Sequence, residues 1–161
     1  MVCRKERHVI IVLKVKLKVQ ELLVRLGKNW FEVGEYKKLP NEVGGSSTTL
    51  PENVHLEMKA LLYVYNKLKN PSFEDILDFH QKFESIHPFQ DGNGRVGRLI
   101  MFRELLRLGF VPFIITDDLK MYYYNGLRNW PNIKGYLLDT CLTAQDNFKF
   151  ILQRFRIPFN D

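Results

Sequence analysis

A chain of 161 residues with 45% apolar and 13% aromatic content has the composition of a globular domain with enough apolar surface to bury a core. That composition excludes an intrinsically disordered chain. The longest aliphatic run, Val9 to Leu13, is far too short for a membrane span, so the expectation is a cytoplasmic protein without membrane contact. The net charge of +6 owes much to Arg4, Lys5, Arg7, Lys14, Lys16 and Lys18. No nucleic-acid-binding module accompanies this basic segment, so no nucleic-acid partner is expected. An anionic small ligand such as a nucleotide agrees with the charge. Cys3 and Cys141 have neither disulfide nor metal spacing and read as idle thiols.

Residues 1–26 form an N-terminal segment of open structure. Leu13 to Val19 alternates apolar and basic residues, as a strand with one wet face does, while Gln20 to Leu26 also suits a helix stopped by Gly27. Residues 27–161 read as a single domain. Gly34, Pro40, Gly44, Gly45 and the run Ser46 to Thr49 predict a hairpin over about 36–49. Thr49 and Glu52 then have capping-box spacing, and Val54, Met58, Leu61, Leu62, Tyr65 and Leu68 recur at helical intervals.

Asn70-Pro71 ends that helix, and Ser72 with Asp75 caps the next. Its inward face is Phe73, Ile76, Leu77, His80, Phe83 and Ile86, and Pro88 places His87 just past its end. A third helix, from about Arg95 to Leu108, is apolar on nearly every side, as in the middle of a bundle. Gly109 stops it, and Val111 to Thr116 connects to a helix from Asp117 toward Arg128. Trp130-Pro131-Asn132 breaks the pattern before a last helix from Ile133 to about Phe155. The fold class is therefore all-α, with a small β excursion.

The segment from His87 to Arg98 carries the chemistry. Gly92-Asn93-Gly94 at a helix start presents consecutive backbone N–H groups and the positive end of the helix dipole, which together cradle an anion. Arg95 and Arg98 lie on the same side of the following helix and aim two guanidinium groups at the cradle. Asp91 beside a phosphate site is the usual ligand type for Mg2+, which takes one or two carboxylates together with phosphate oxygens. His87, as a neutral imidazole, suits the role of base for a hydroxyl attacking phosphorus. Taken singly, each feature also has a bland explanation: a helix cap, a turn, a surface ion pair. Their convergence on one polyanion points to phosphoryl or nucleotidyl transfer.

This string resembles the Fic motif, H-P-F-x-D/E-G-N-G-R-x-x-R, and matches it at every specified position. Gly34 to Lys37 through Gly44 resembles the approach to the Fic flap hairpin, and Pro51 to Val54 the helix after it. The resemblance covers about Trp30 to Phe155. It implies a Fic-type helical bundle with a β-hairpin flap, and a protein adenylyltransferase moving AMP from ATP to a Tyr, Thr or Ser hydroxyl of a target protein, with Mg2+. By the resemblance His87 is the base, Asp91 the Mg2+ ligand, and Phe89 a buried anchor of the loop. Gly92, Asn93 and Gly94 cradle the α- and β-phosphates, with Arg95 and Arg98 on the β- and γ-phosphates. Asn41, Glu42, Val43 and Gly44 register the target's backbone, and Tyr123 and Tyr124 flank the adenine.

Alternatives within the resemblance are transfer of UMP, phosphocholine or phosphate, or a silent peptide-binding module. The phosphorylating Doc relatives carry lysine where Gly94 stands, which favours AMP transfer here. Many relatives carry an inhibitory S/T-x-x-x-E-G/N helix. Thr48 to Asn53 matches its letters, but Pro51 falls inside it and the capping reading of Glu52 is preferred, which leaves any brake to a separate inhibitor protein.

Overall fold

The computed structural model describes residues 34–159. The strand or helix expected within residues 1–26 lies outside the described residues. Strands β1 (Glu42–Val43) and β2 (Ser46–Ser47) are followed by helices α1 (Pro51–Lys67), α2 (Phe73–Ile86), α3 (Asn93–Leu108), α4 (Lys120–Asn129) and α5 (Gly135–Arg154). The described chain falls into two compact units, residues 34–69 with 82–100, and residues 70–81 with 101–159.

In the first unit the hairpin pairs Glu42 with Ser47 and Val43 with Ser46 in antiparallel register. Gly44 and Gly45 form its two-residue turn, both at positive φ (58° and 79°), the geometry that matches the twist of flanking strands and that glycine adopts without strain. Both strands are exposed throughout. Helix α1 buries Val54, Met58, Leu61 and Tyr65, one stripe at spacings of four, three and four; Leu62 is half-buried and Leu68, just past the helix end, is 39% exposed.

The capping box expected at Thr49 and Glu52 does not form. Pro51 takes the first helical position, where its missing N–H costs nothing, so Leu50 becomes the cap and Glu52 falls one place short of reaching back. Thr49 instead donates to Glu57 Oε2 at 2.7 Å. The second box does form. The main-chain N–H of Asp75 donates to Ser72 Oγ at 3.1 Å, and that of Ser72 donates to Asp75 Oδ2 at 2.8 Å.

The second unit has its own core of Ile76, Leu77, Met101, Leu105, Phe113, Tyr123, Trp130, Leu137, Cys141 and Ala144. Burial of each large side chain contributes roughly 1.5–3 kcal/mol before entropy is counted. A Cβ on Gly126 would stand 2.6 Å from Leu137 Cα, so glycine there lets α4 and α5 pack backbone to backbone. Helix α3 starts at Asn93, two residues before the expected Arg95. It is less enclosed than its composition suggests, with Leu99 50% and Leu106 56% exposed. Helix α4 begins at Lys120 rather than Asp117, because 117–119 form a turn. Among the described residues no helix is long and apolar enough to cross a membrane.

Candidate active site

Helix α2 ends at Ile86, and His87 follows in the left-handed region at φ 50°. Its main-chain N–H donates to Phe83 O at 3.0 Å, the single bond that closes a helix in this way. Left-handed geometry turns the chain sharply, and Pro88 prevents the helix from resuming. The imidazole Nδ1 lies 3.2 Å from the main-chain oxygen of Glu84. A carbonyl only accepts, so Nδ1 carries the proton and Nε2 keeps its lone pair. Burial pulls the His87 pKa below the usual imidazole value; the bond to the Glu84 carbonyl opposes this, Lys37 adds to it and Asp91 opposes it. His87 is thereby a neutral base with a fixed tautomer.

The loop after His87 is held by buried groups. Asn93, 1% exposed, accepts the Phe89 N–H on Oδ1 and donates from Nδ2 to the Phe89 oxygen, both at 2.8 Å. Its side chain therefore staples the loop, and the group of Asn93 that faces an anion is its main-chain N–H. Phe89 is buried against Phe83 and Tyr36, with ring centroids 6.2 and 6.1 Å away. Gly92 takes φ 82°, a value only glycine adopts freely, and its N–H donates to Asp91 Oδ1 at 2.6 Å. Helix geometry leaves the N–H groups of Asn93, Gly94 and Arg95 without intrahelical partners at the start of α3. These three amides and the helix dipole can together act as an anion cradle.

Arg98 reaches back along α3, and a Cβ on Gly94 would meet its Nη1 at 3.1 Å. Glycine at 94 thus leaves room for the guanidinium beside the cradle. Arg95 Nη2 stands 3.8 Å from Asp91 Oδ2, both groups about a third exposed, so the pair is weak and easily rearranged. Among the described residues no three acidic, histidine or cysteine side chains gather into a metal cage. A partly exposed carboxylate at the mouth of an anion cradle nevertheless fits Mg2+, which takes most of its ligands from phosphate and water.

The hairpin's residues divide by task. Asn41 donates from Nδ2 to the Phe89 oxygen at 3.0 Å, and its Oδ1 accepts from Lys37 Nζ at 2.7 Å, so its side chain faces inward. Gly44 belongs to the turn. Glu42 and Val43 alone of the four expected flap residues offer an extended, exposed edge.

In the second unit, Tyr123 and Tyr124 stand in opposite environments. Tyr123 is 1% exposed, and its hydroxyl sits 2.6 Å from His80 Nε2, which makes it a core residue with no free face for an adenine. Tyr124 is 46% exposed and lines a cleft of about 680 Å³ with Asp117, Lys120, Met121, Tyr122, Asn125 and Arg128. The pair sits at adjacent positions on α4, so one ring faces the core and the other solvent.

Two titratable groups were missed by sequence reasoning. Glu84 lies one helical turn before His87, with its carboxylate 4.0 Å from Nδ1; burial raises its pKa to about 7, against the lowering influence of Arg98. The i, i+3 spacing from Glu84 to His87 was the available signal. Lys37 is 3% exposed, and burial lowers its pKa, with Glu57 opposing. Nothing local in the sequence marks Lys37, because its partners lie at 41, 48 and 86.

Comparison with known proteins places this geometry. Residues 15–105 match the Fic/DOC family. "Protein adenylyltransferase Fic" of Drosophila grimshawi is 34% identical over 100 residues, 60% of this chain and 21% of that protein. The protein of the same name from Nematostella vectensis is 35% identical over 101 residues, 60% of this chain and 23% of its own. The chain thus spans about a fifth of the length of these relatives. A Fic-domain-containing signaling protein from Bacteroides thetaiotaomicron superposes with a TM-score of 0.63 at 25% identity, covering 89% of this chain and 67% of that one. A Fic-1 fragment from C. elegans does so with 0.66 at 22% identity, covering 90% and 44%. The sequence match over more than half its length, the shared fold and the intact motif from His87 to Arg98 make this chain a member of the Fic/DOC family.

Proposed function

We propose that the chain is a protein adenylyltransferase, which moves AMP from ATP onto a hydroxyl side chain of another protein and releases pyrophosphate. The observation that carries this reading is the His87 tautomer beside the amides of α3: a base with its lone pair on Nε2 and an anion cradle six residues on, within one loop. In this reading Nε2 of His87 takes the proton from the target hydroxyl as its oxygen attacks the α-phosphorus. The α3 amides, Arg95 and Arg98 bind the phosphate oxygens and neutralise the charge that moves onto the departing pyrophosphate. Asp91 would hold Mg2+, which when bound supplies further neutralisation of the phosphates.

The relatives bearing the name protein adenylyltransferase support this reading, as does Gly94, whose missing side chain gives Arg98 its place. A lysine at that position, as in phosphorylating relatives, would crowd the guanidinium and add a second cation. We assign no brake to Glu52, which is exposed in the first turn of α1. A separate inhibitor protein would be one source of restraint. The test is incubation with a cell lysate and ATP labelled at either the α or the γ phosphorus. Label retained on protein from the α position only is the expected result; label from the γ position only makes the chain a kinase, and none from either makes it a binding module.

A further inference from the structure

Lys37 is a buried cation that the proposed chemistry does not use. Its three ammonium protons have three acceptors: Asn41 Oδ1 at 2.7 Å, Thr48 Oγ1 at 2.6 Å and the main-chain oxygen of Ile86 at 3.2 Å. That satisfies every donor of the group, as a buried charge requires. The first two acceptors flank the hairpin, before β1 and after β2. The third lies one residue before His87. Thr48 closes the ring by donating to the Asn41 main-chain oxygen at 2.9 Å.

The neighbouring residues repeat the pattern. The Lys37 N–H donates to Pro88 O at 2.8 Å, and Asn41 Nδ2 donates to Phe89 O at 3.0 Å. Between them, the Leu39 N–H donates to Gln90 Oε1 at 3.1 Å, while Gln90 Nε2 donates to Leu39 O at 3.3 Å. Residues 37, 39 and 41 thus each bond to the segment 86–90, mostly through side chains. Among the described residues these bonds are what tie the hairpin to the loop. Its strands are two residues each and fully exposed, so no apolar burial anchors them, and an isolated hairpin is marginal in water.

We propose that Lys37 is a positioning residue: its ammonium clasps the base of the hairpin to the loop bearing His87, and so sets how a target strand on the hairpin presents its hydroxyl to the base. This rests on the adenylyltransferase reading, and on the hairpin as the element that docks the target. Loss of the clasp leaves the α3 cradle intact, so target engagement suffers and nucleotide binding does not.

The experiment compares wild type with Lys37→Met, Thr48→Val and Thr48→Ser. Thr48→Val removes one acceptor without removing the buried charge, which keeps the test open should Lys37→Met fail to fold; Thr48→Ser restores the hydroxyl. Hydrogen exchange is followed at the amides of residues 42–48. Transfer from α-labelled ATP to lysate protein is measured against both ATP and acceptor concentration. Lys37→Met and Thr48→Val are expected to speed exchange across 42–48 at least tenfold, with residues 120–154 unchanged. Both variants should raise the half-saturating acceptor concentration at least fivefold and keep that for ATP within twofold, while Thr48→Ser behaves as wild type. Unchanged exchange at 42–48 in both variants overturns the proposal, as does parallel weakening for ATP and acceptor. A wild type that transfers no α-label removes the adenylyltransferase reading instead, and exchange alone then decides the clasp.

Discussion

At His87 the backbone occupies a conformation in which glycine is the usual resident, and an ordinary residue there costs about 1–2 kcal/mol. Strain is thus kept at the residue proposed as the base. His87→Gly should abolish transfer, yet unfold in urea no earlier than wild type, gaining up to about 1 kcal/mol. A clear loss of stability would mean that packing of the ring outweighs the strain. The pH dependence follows from the direction of its shift. Because burial lowers the His87 pKa, the neutral base persists below pH 6.5, and the acid limb of kcat/KM should fall below that value. An acid limb above 6.5 would contradict a buried base.

Glu84 behaves oppositely. Its pKa of about 7 is higher than the ordinary 4.5, so the folded state holds a proton that the unfolded state releases. The stability this contributes is full below pH 4.5 and is lost as pH rises through about 7. Glu84→Gln removes the titration, so the variant should gain stability relative to wild type between pH 5 and 8, by an amount on the order of 1–3 kcal/mol. Urea midpoints at several pH values read the difference directly. Identical pH profiles for the two proteins would show that Glu84 is ionised throughout.

Among the elements, the hairpin permits the sharpest distinction. Val43 and Ser46 flank a two-residue turn and form the hydrogen-bonded pair; Glu42 and Ser47 form the next pair, whose N–H and C=O groups point away from the partner strand. Glu42→Pro therefore deletes a donor that only a third strand would use, whereas Val43→Pro breaks the hairpin itself. Glu42→Pro should cut transfer to protein about tenfold, with ATP binding unchanged and hairpin amide exchange near wild type. Equal loss of ATP binding would mean that the hairpin is not the target edge.

Elements whose determinants are local were legible in the sequence: the Ser72–Asp75 box, the stop at His87-Pro88 and the Gly44–Gly45 turn each depend on neighbours. The Thr49 box failed for an equally local reason, since proline at the first helical position moves the cap by one residue. The opposite environments of Tyr123 and Tyr124 were not legible, because both are aromatic and only packing decides which one His80 meets. Lys37 and Glu84 were hidden because burial, which sequence does not display for a single charged residue, is what makes them distinctive.

For the molecule as a whole, nucleotide binding to the folded state alone must appear as stability. ATP with Mg2+ at about a hundred times its dissociation constant should add about 2.7 kcal/mol to the free energy of unfolding. Chelation by EDTA or the variant Arg98→Ala should shrink that gain, as a thermal melt would show; an equal gain in all three conditions would place the nucleotide away from the motif. The chain spans about a fifth of its relatives' length and itself carries the whole motif.

The brevity of β1 has a kinetic side. Of its two residues only Glu42 turns its N–H and C=O outward, so a visiting strand gains at most two main-chain bonds, each worth about 0.5–1.5 kcal/mol net. On the adenylyltransferase reading, such an edge would align a partner without retaining it, and the modified product would leave quickly. Turnover would then be free of product trapping, and the proposed choice among acceptor proteins would rest on side chains beyond the hairpin.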